Sequence, residues 1–235
     1  MSNSSLVNTK VPADKGNYSS ASSRKKITNV CLHHMAGVLT AKACGNIFAK
    51  KGRNGSAHYG IGSDGKIGLY VDESCVAWHA SNWPENQCSV GIEVSNSALG
   101  GKWPISDQSL KLVIKLVADI MKRNGIKEAV KGKTLVWHSM YTATTCPGDY
   151  MRSKMSYICT EVNKILKATP TKKPKEGDKV TTTAKYDVYG VKLNLKIIND
   201  GQSVWKKTTN NGKNAWLYKG KVLRCVVPVS SLKKA

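Results

Sequence analysis

Ile27-Thr28-Asn29-Val30-Cys31-Leu32, followed at once by His33-His34, is the stretch on which the fold turns. An apolar run bordered by polar residues reads as a buried strand, and here the strand delivers two histidines at its C-terminal end. Further along, Ser56-Ala57-His58-Tyr59-Gly60-Ile61-Gly62, the turn Ser63-Asp64-Gly65, and Ile67-Gly68-Leu69-Tyr70-Val71 predict a hairpin. Asp-Gly accepts the positive dihedrals of a tight turn. Ser89-Val90-Gly91-Ile92-Glu93-Val94 predicts a second buried strand carrying one acid. From Ser106 the period becomes helical: Leu110, Val113, Ile114, Val117 and Met121 form one stripe, widened by Leu112, Leu116 and Ile120. Ser106 is the expected N-cap, and Gly125 falls just past the end. Thr134-Leu135-Val136-Trp137 predicts a short strand ending at His138. After Pro147-Gly148, Met151, Met155, Ile158, Val162 and Ile165 step by four and three along one helical face. Strands alternating with helices define an α/β layer fold.

Near Ala168 the composition shifts to Thr169-Pro170-Thr171-Lys172-Lys173-Pro174-Lys175-Glu176-Gly177, which has two prolines and no apolar period. The expected organisation is therefore an α/β domain over 1–167, a linker over 168–179 and a small all-β module over 180–235. In that module Gly190-Val191-Lys192-Leu193-Asn194-Leu195-Lys196-Ile197 alternates as a strand should, and Val222 to Val227 is a second apolar run. Residues 168–235 hold 15 Lys plus Arg against 4 Asp plus Glu, half of the chain's net charge of +22.

A chain of 235 residues, 40% of them hydrophobic, can bury one core of about 150 residues and leave a small second unit. No window approaches the roughly 18–20 apolar residues needed to cross a bilayer, and the polar, Ser/Asn-rich N-terminus has no apolar signal-like segment. The expectation is no membrane span and no cleavable secretion signal. The charge points to a polyanionic partner such as nucleic acid, anionic lipid or the teichoic acids of a bacterial wall. Nucleic acid is disfavoured because no recognition motif accompanies the charge. Seven cysteines at 31, 44, 75, 88, 146, 159 and 225 are an odd set without close pairs, expected to persist as thiols in a reducing cytoplasm.

His33, His138 and Cys146 supply two imidazoles and a thiolate, a donor set suited to Zn²⁺. Three protein ligands leave a fourth position open, the mark of a catalytic rather than a structural site. His34, His58, His79 and Cys31 are the competing donors. Alternation along a strand keeps His33 and His34 from facing one metal, so one of the pair is a core or supporting residue. Spacing alone leaves open both a zinc site and three separate structural residues.

Leu32-His33-His34-Met35-Ala36-Gly37, the Ser56–Gly65 hairpin, Val90-Gly91-Ile92-Glu93-Val94 and the segment from His138 to Cys146-Pro147-Gly148 occur in the order seen in type 2 N-acetylmuramoyl-L-alanine amidases. Over residues 25–167 the chain resembles that family, and within it a bacteriophage endolysin or prophage lysin. The resemblance implies a mixed central sheet flanked by helices, with Zn²⁺ held by His33, His138 and Cys146. It implies cleavage of the amide between N-acetylmuramic acid and L-alanine of peptidoglycan, with Glu93 as acid/base. The alternative reading of Glu93 is a buried acid paired with a Lys or Arg. Many relatives carry a Lys two residues before the Cys and a Tyr before the hairpin His; here these are Thr144 and Ala57. Thr144 can donate a hydrogen bond to an oxyanion but carries no charge.

His58, Tyr59, Trp78 and His79 are the candidate substrate-binding residues. Against this, His58 can be a plain hairpin histidine, Trp78 a core residue and His79 a solvated loop residue. The partners expected are peptidoglycan and anionic wall polymers, with no nucleic acid; an oligomeric state is not assigned. The chain is expected to be made in a host bacterial cytoplasm and to act on the wall after release. The competing function is a peptidoglycan-binding protein of the same fold without catalysis, against which the full ligand set argues.

Overall fold

Two buried strands lie at the middle of the first of two units, Met1–Ala168 and Thr169–Ala235, in a computed structural model that describes residues 2–167 and 174–235. In chain order the first unit contains β1 (Thr9–Lys10), β2 (Tyr18–Ser19), β3 (Asn29–His34), α1 (Ala41–Phe48), β4 (Tyr59–Ile61), β5 (Ile67–Leu69), β6 (Val76–Ala77), α2 (Trp83–Cys88), β7 (Ser89–Val94), α3 (Asp107–Arg123), β8 (Leu135–Trp137) and α4 (Asp149–Lys167). The main sheet runs β1-β5-β4-β7-β3-β8, and β2 pairs with β6. Only β4 and β5 pair antiparallel within the main sheet, so it is mixed, and helices flank it.

Register places the chemistry. Strands β3 and β7 run parallel with Cys31 beside Gly91 and His33 beside Glu93. Partners in register share a face of the sheet. One face carries Val30, Leu32, Tyr59, Ile61, Val90, Ile92, Val94 and Leu135, which join the core formed with α3 and α4. Each such aliphatic side chain contributes roughly 1.5–3 kcal/mol on full burial, so this face holds the unit together. The opposite face is left to Cys31, His33, Gly91 and Glu93.

Helix α3 begins where expected, with Ser106 Oγ accepting from the Ser109 N–H at 3.0 Å and Gly125 in the left-handed region at φ 71°. In α4, Met151, Met155, Ile158 and Val162 are fully buried, whereas Ile165 is 40% exposed. A strict four-three step drifts about 20° per seven residues against a straight helix. By the last turn the covered position has passed to Leu166, which packs on the core.

Helix α1 was not expected. Thr40 caps it, its Oγ1 accepting from the Ala43 N–H, and Ala41, Cys44, Gly45 and Phe48 are its buried stripe. Tyr70 lies beneath it and donates to the Ala41 carbonyl at 2.6 Å. Gly60 and Gly68 make room for that ring: a Cβ at Gly60 would sit 2.1 Å from the Tyr70 hydroxyl. Helix α2 was also unexpected; Asn82 caps it, accepting from the Glu85 N–H.

The second unit contains β9 (Val180–Thr182), α5 (Leu195–Ile198), β10 (Val204–Thr209), β11 (Asn214–Lys219), β12 (Val222–Pro228) and β13 (Leu232–Lys234). Strands β10, β11 and β12 form an antiparallel meander, and β9 pairs with β13. The stretch Gly190–Ile197 is not the strand its alternation predicts. Asn194 caps the short helix α5 instead, and Ile198, rather than Ile197, is buried. Of the expected linker, 168–173 lie outside the described residues. Gly177 donates to the Trp205 carbonyl and Lys179 bridges Val204, so the second unit starts before the boundary at 180 that composition suggested. Trp205 is buried in its core, Tyr186 and Tyr189 are exposed, and Lys207 and Lys206 lie over the half-buried rings of Trp216 and Tyr218.

Candidate metal centre

Three elements end at one place. His33 stands near the end of β3, His138 opens the 3-10 turn after β8, and Cys146 lies in the loop leading into α4. Donor atoms of the three lie within 4.8 Å of one another, with His33 Nδ1 3.7 Å from Cys146 Sγ and the His33 and His138 rings 4.6 Å apart between centroids. The nitrogen-to-sulfur edge of a tetrahedral zinc site is roughly 3.5 Å, so the spacing suits that ion. The loop is tied down by hydrogen bonds from Ser139 N–H to the Cys146 carbonyl (3.1 Å) and from Cys146 N–H to Thr144 Oγ1 (3.2 Å).

The polar atoms here are short of partners. His138 Nε2, Glu93 Oε2 and His34 Nδ1 are buried without a hydrogen bond, a costly state unless a ligand completes them. Burial, reinforced by the neighbouring histidines, holds His33 well below the usual imidazole range, and burial also lowers His138. Both are therefore neutral, with a lone pair to offer. Burial and the Glu93 charge raise the Cys146 thiol. A neutral donor pair, a buried thiol and orphaned polar atoms fit a divalent metal, and the cluster can hold one.

Two acids set into the first unit, Glu73 and Glu93, have opposite fates. Glu73 accepts from Arg123 at 2.7 Å, from the Tyr59 hydroxyl at 2.5 Å and from Asn124 at 3.2 Å, and is a satisfied structural ion pair. Among the described residues Glu93 has no such cation in contact; burial pushes its carboxyl up to about 8, opposed by the more distant Arg53. An acid poised near neutral pH beside a candidate metal cluster can move protons. It opens onto a cleft of about 360 Å³ shared with His34, His138, Thr144, Cys146 and Arg53. A larger cavity of about 660 Å³ in the second unit has, among the described residues, Lys213 as its only ionisable lining residue.

Among the residues expected from sequence, His33, His138, Cys146, Glu93 and Thr144 come together. His58, Tyr59, Trp78 and His79, the expected substrate-binding residues, are not among the residues that line this cleft. Tyr59 lies on the core face, bonded to Glu73. His58 is fully buried, its Nδ1 accepting from the Gly91 N–H at 3.0 Å and its Nε2 facing the Cys75 carbonyl. Trp78 is half-buried and donates to Ser19. His79 is buried behind His33 rather than solvated. In their place α1 and its flanks supply Met35, Leu39, Ile47, Phe48 and Arg53. The spacing Ala41, Cys44, Gly45, Phe48 after Thr40 was the signal that could have found them.

The α/β fold and a His/Cys cluster facing an unpaired acid in an open cleft mark a hydrolase. The chain belongs to the N-acetylmuramoyl-L-alanine amidase family (Amidase_2), whose sequence model matches residues 23–149, and it is an enzyme of that class. Solved structures share the fold. A mutant endolysin from Bacillus subtilis is 19% identical with a TM-score of 0.54, covering 67% of this chain and 99% of that one. PlyL is 16% identical with a TM-score of 0.55, covering 66% and 96%. The N-acetylmuramoyl-L-alanine amidase LysC from Clostridium intestinale is 20% identical with a TM-score of 0.51, covering 63% and 94%. No curated protein sequence matches the chain.

Proposed function

We propose that the chain is a zinc-dependent endolysin that hydrolyses the amide between N-acetylmuramic acid and L-alanine of peptidoglycan. The observation that carries this reading is the cluster of His33, His138 and Cys146 at the cleft onto which Glu93 opens, an acid without a cation in contact among the described residues. Zinc held by these three residues would supply Lewis acidity toward the amide carbonyl and a lowered pKa for water. Glu93 takes the proton of the attacking water and returns it to the departing alanine amine. The Thr144 hydroxyl, whose oxygen already accepts from Cys146 N–H, has its own proton free for the developing oxyanion. Trp103, packed edge-on to His34 at 4.9 Å, helps fix the wall of the cleft.

The test is metal content together with product analysis. One zinc per chain, with new alanine amino termini and no new reducing sugar ends, is the expected outcome. Zinc without cleavage of any of several wall types would transfer the reading to a non-catalytic peptidoglycan-binding protein.

The second unit is proposed to hold the enzyme on anionic wall polymers through its excess of Lys and Arg and its exposed aromatics. Tethering raises local concentration without any change in the active site. Deleting residues 168–235 should lower retention on whole cell walls by about tenfold or more while leaving cleavage of a soluble muropeptide unchanged. Retention should also weaken as salt rises. Unaltered wall retention by the truncated chain would refute the tether. Among the described residues no helix is long and apolar enough to cross a membrane. Release from the producing cell to the wall remains part of the proposal.

A further inference from the structure

His79 is held from every side although it lies outside the cleft. Its backbone N–H donates to Asn86 Oδ1 at 3.1 Å, and that of Ala80 donates to the same atom at 2.8 Å. Its ring lies directly over Gly91, where a Cβ would fall 2.5 Å from the ring Cγ. His79 Nε2 meets Ser89 Oγ at 3.1 Å, and His79 Nδ1 meets His33 Nε2 at 3.0 Å, with the two rings nearly perpendicular.

The direction of each proton follows from this chain. The single proton of the Ser89 hydroxyl goes to the Glu85 carbonyl at 2.7 Å, so Ser89 Oγ accepts from His79 Nε2–H. A neutral imidazole has one N–H, so His79 Nδ1 is bare and accepts from His33 Nε2–H. His33 Nδ1 is then bare as well, and it is the nitrogen that faces Cys146 Sγ.

We propose that His79 is a positioning residue: through Glu85, Ser89 and His79 the fold locks His33 in the Nε2–H tautomer that presents its Nδ1 lone pair to the metal. The inference rests on the zinc reading of the cleft. A carboxylate or a carbonyl commonly fills this supporting role. A neutral histidine fixes the tautomer equally while adding no negative charge, so it leaves the Lewis acidity of the metal undiminished. The donors of Cys31, His33 and His79 also lie within 4.8 Å of one another. In the proposed tautomers they offer no second metal site, because one proton lies between the facing nitrogens of His33 and His79.

The test begins with nitrogen NMR of the full-length, metal-free chain labelled in histidine. Both His33 and His79 should carry the proton on Nε2; a proton on His33 Nδ1 would overturn the proposal. Chelator competition then measures zinc affinity. His79→Leu should lose 10- to 100-fold, and His79→Asn, whose Oδ1 stands close to the position of the lost Nδ1, should recover most of it. Ser89→Ala should leave His33 in mixed tautomers and weaken zinc by a smaller factor, which decides the matter if His79→Leu does not fold. Wild-type affinity in both His79→Leu and Ser89→Ala would refute the proposal. The tautomer is read without metal, so a chain that shows it and takes up no zinc would instead defeat the proposed function.

Discussion

Cys146→Ala is expected to take up no stoichiometric zinc and to release no stem peptide from peptidoglycan. The thiolate is the only anionic member of the donor set, and removing it leaves two neutral imidazoles from separate strand ends. Loss of a direct ligand should cost well over the 10- to 100-fold typical of a supporting residue, so zinc affinity should fall by about 10³-fold or more. Two readouts separate this from misfolding. Zinc in excess of its Kd should raise the Tm of the wild-type chain, as any ligand specific for the folded state does, and should leave that of the variant unmoved. The metal-free variant should also keep wild-type stability to within about 1–3 kcal/mol, because only a small buried side chain has been trimmed. Full zinc occupancy in Cys146→Ala would remove Cys146 from the ligand set and reopen the choice among His34, Cys31 and His79.

The elements legible in the sequence are those whose signal is local. Ser89–Val94 is a strand with the bounds its apolar run predicts, and Ser106 and Gly125 mark α3 because capping is a contact between near neighbours. Helix α1 escaped because its stripe, although helically spaced, includes Cys44 and Gly45, which weaken the hydrophobic signal, and because the Tyr70 ring it covers comes from the residue after β5. Gly190–Ile197 misled for the reverse reason. Its alternation was real, but the Asn194 cap and the burial of Ile198 by the meander outweighed it.

The candidate site divides the same way. His33, His138 and Cys146 could be named from donor chemistry and family resemblance, and register explains why β3 and β7 set His33 beside Glu93. The different fates of Glu73 and Glu93 were not legible, since each depends on whether Arg123 or the cluster of His33, His138 and Cys146 lies nearby after folding. His79 read as a solvated or groove-lining loop residue. What buries it is the missing side chain at Gly91 and the Asn86 amide that gathers its loop, both contacts across the chain.

Glu93→Gln is expected to keep its zinc and lose about 10²- to 10⁴-fold in turnover, the range typical of a general acid/base. Glutamine preserves shape and hydrogen-bonding capacity but neither accepts nor delivers a proton at working pH. The same substitution should stabilise the metal-free chain, and the sign follows from the carboxyl. In the folded chain burial pushes the Glu93 carboxyl up to about 8, whereas an unfolded chain gives up this proton near the ordinary carboxyl value of 4.5. Between these limits the folded state binds more protons, so the contribution of Glu93 to stability is complete below the lower value and is lost as pH rises through the upper one. Glutamine has no such loss. In urea melts of zinc-free protein, Glu93→Gln should match wild type at pH 4 and exceed it at pH 8 by on the order of 2 kcal/mol, a discounted figure because the residue is partly open to the cleft. Zinc should narrow the difference, since a nearby dication favours the carboxylate and offsets the burial that opposes it. Wild-type turnover with full zinc would end the acid/base assignment. A stability difference that fails to grow with pH would show that Glu93 has a partner in the folded chain, and its proton would then not be poised for the reaction.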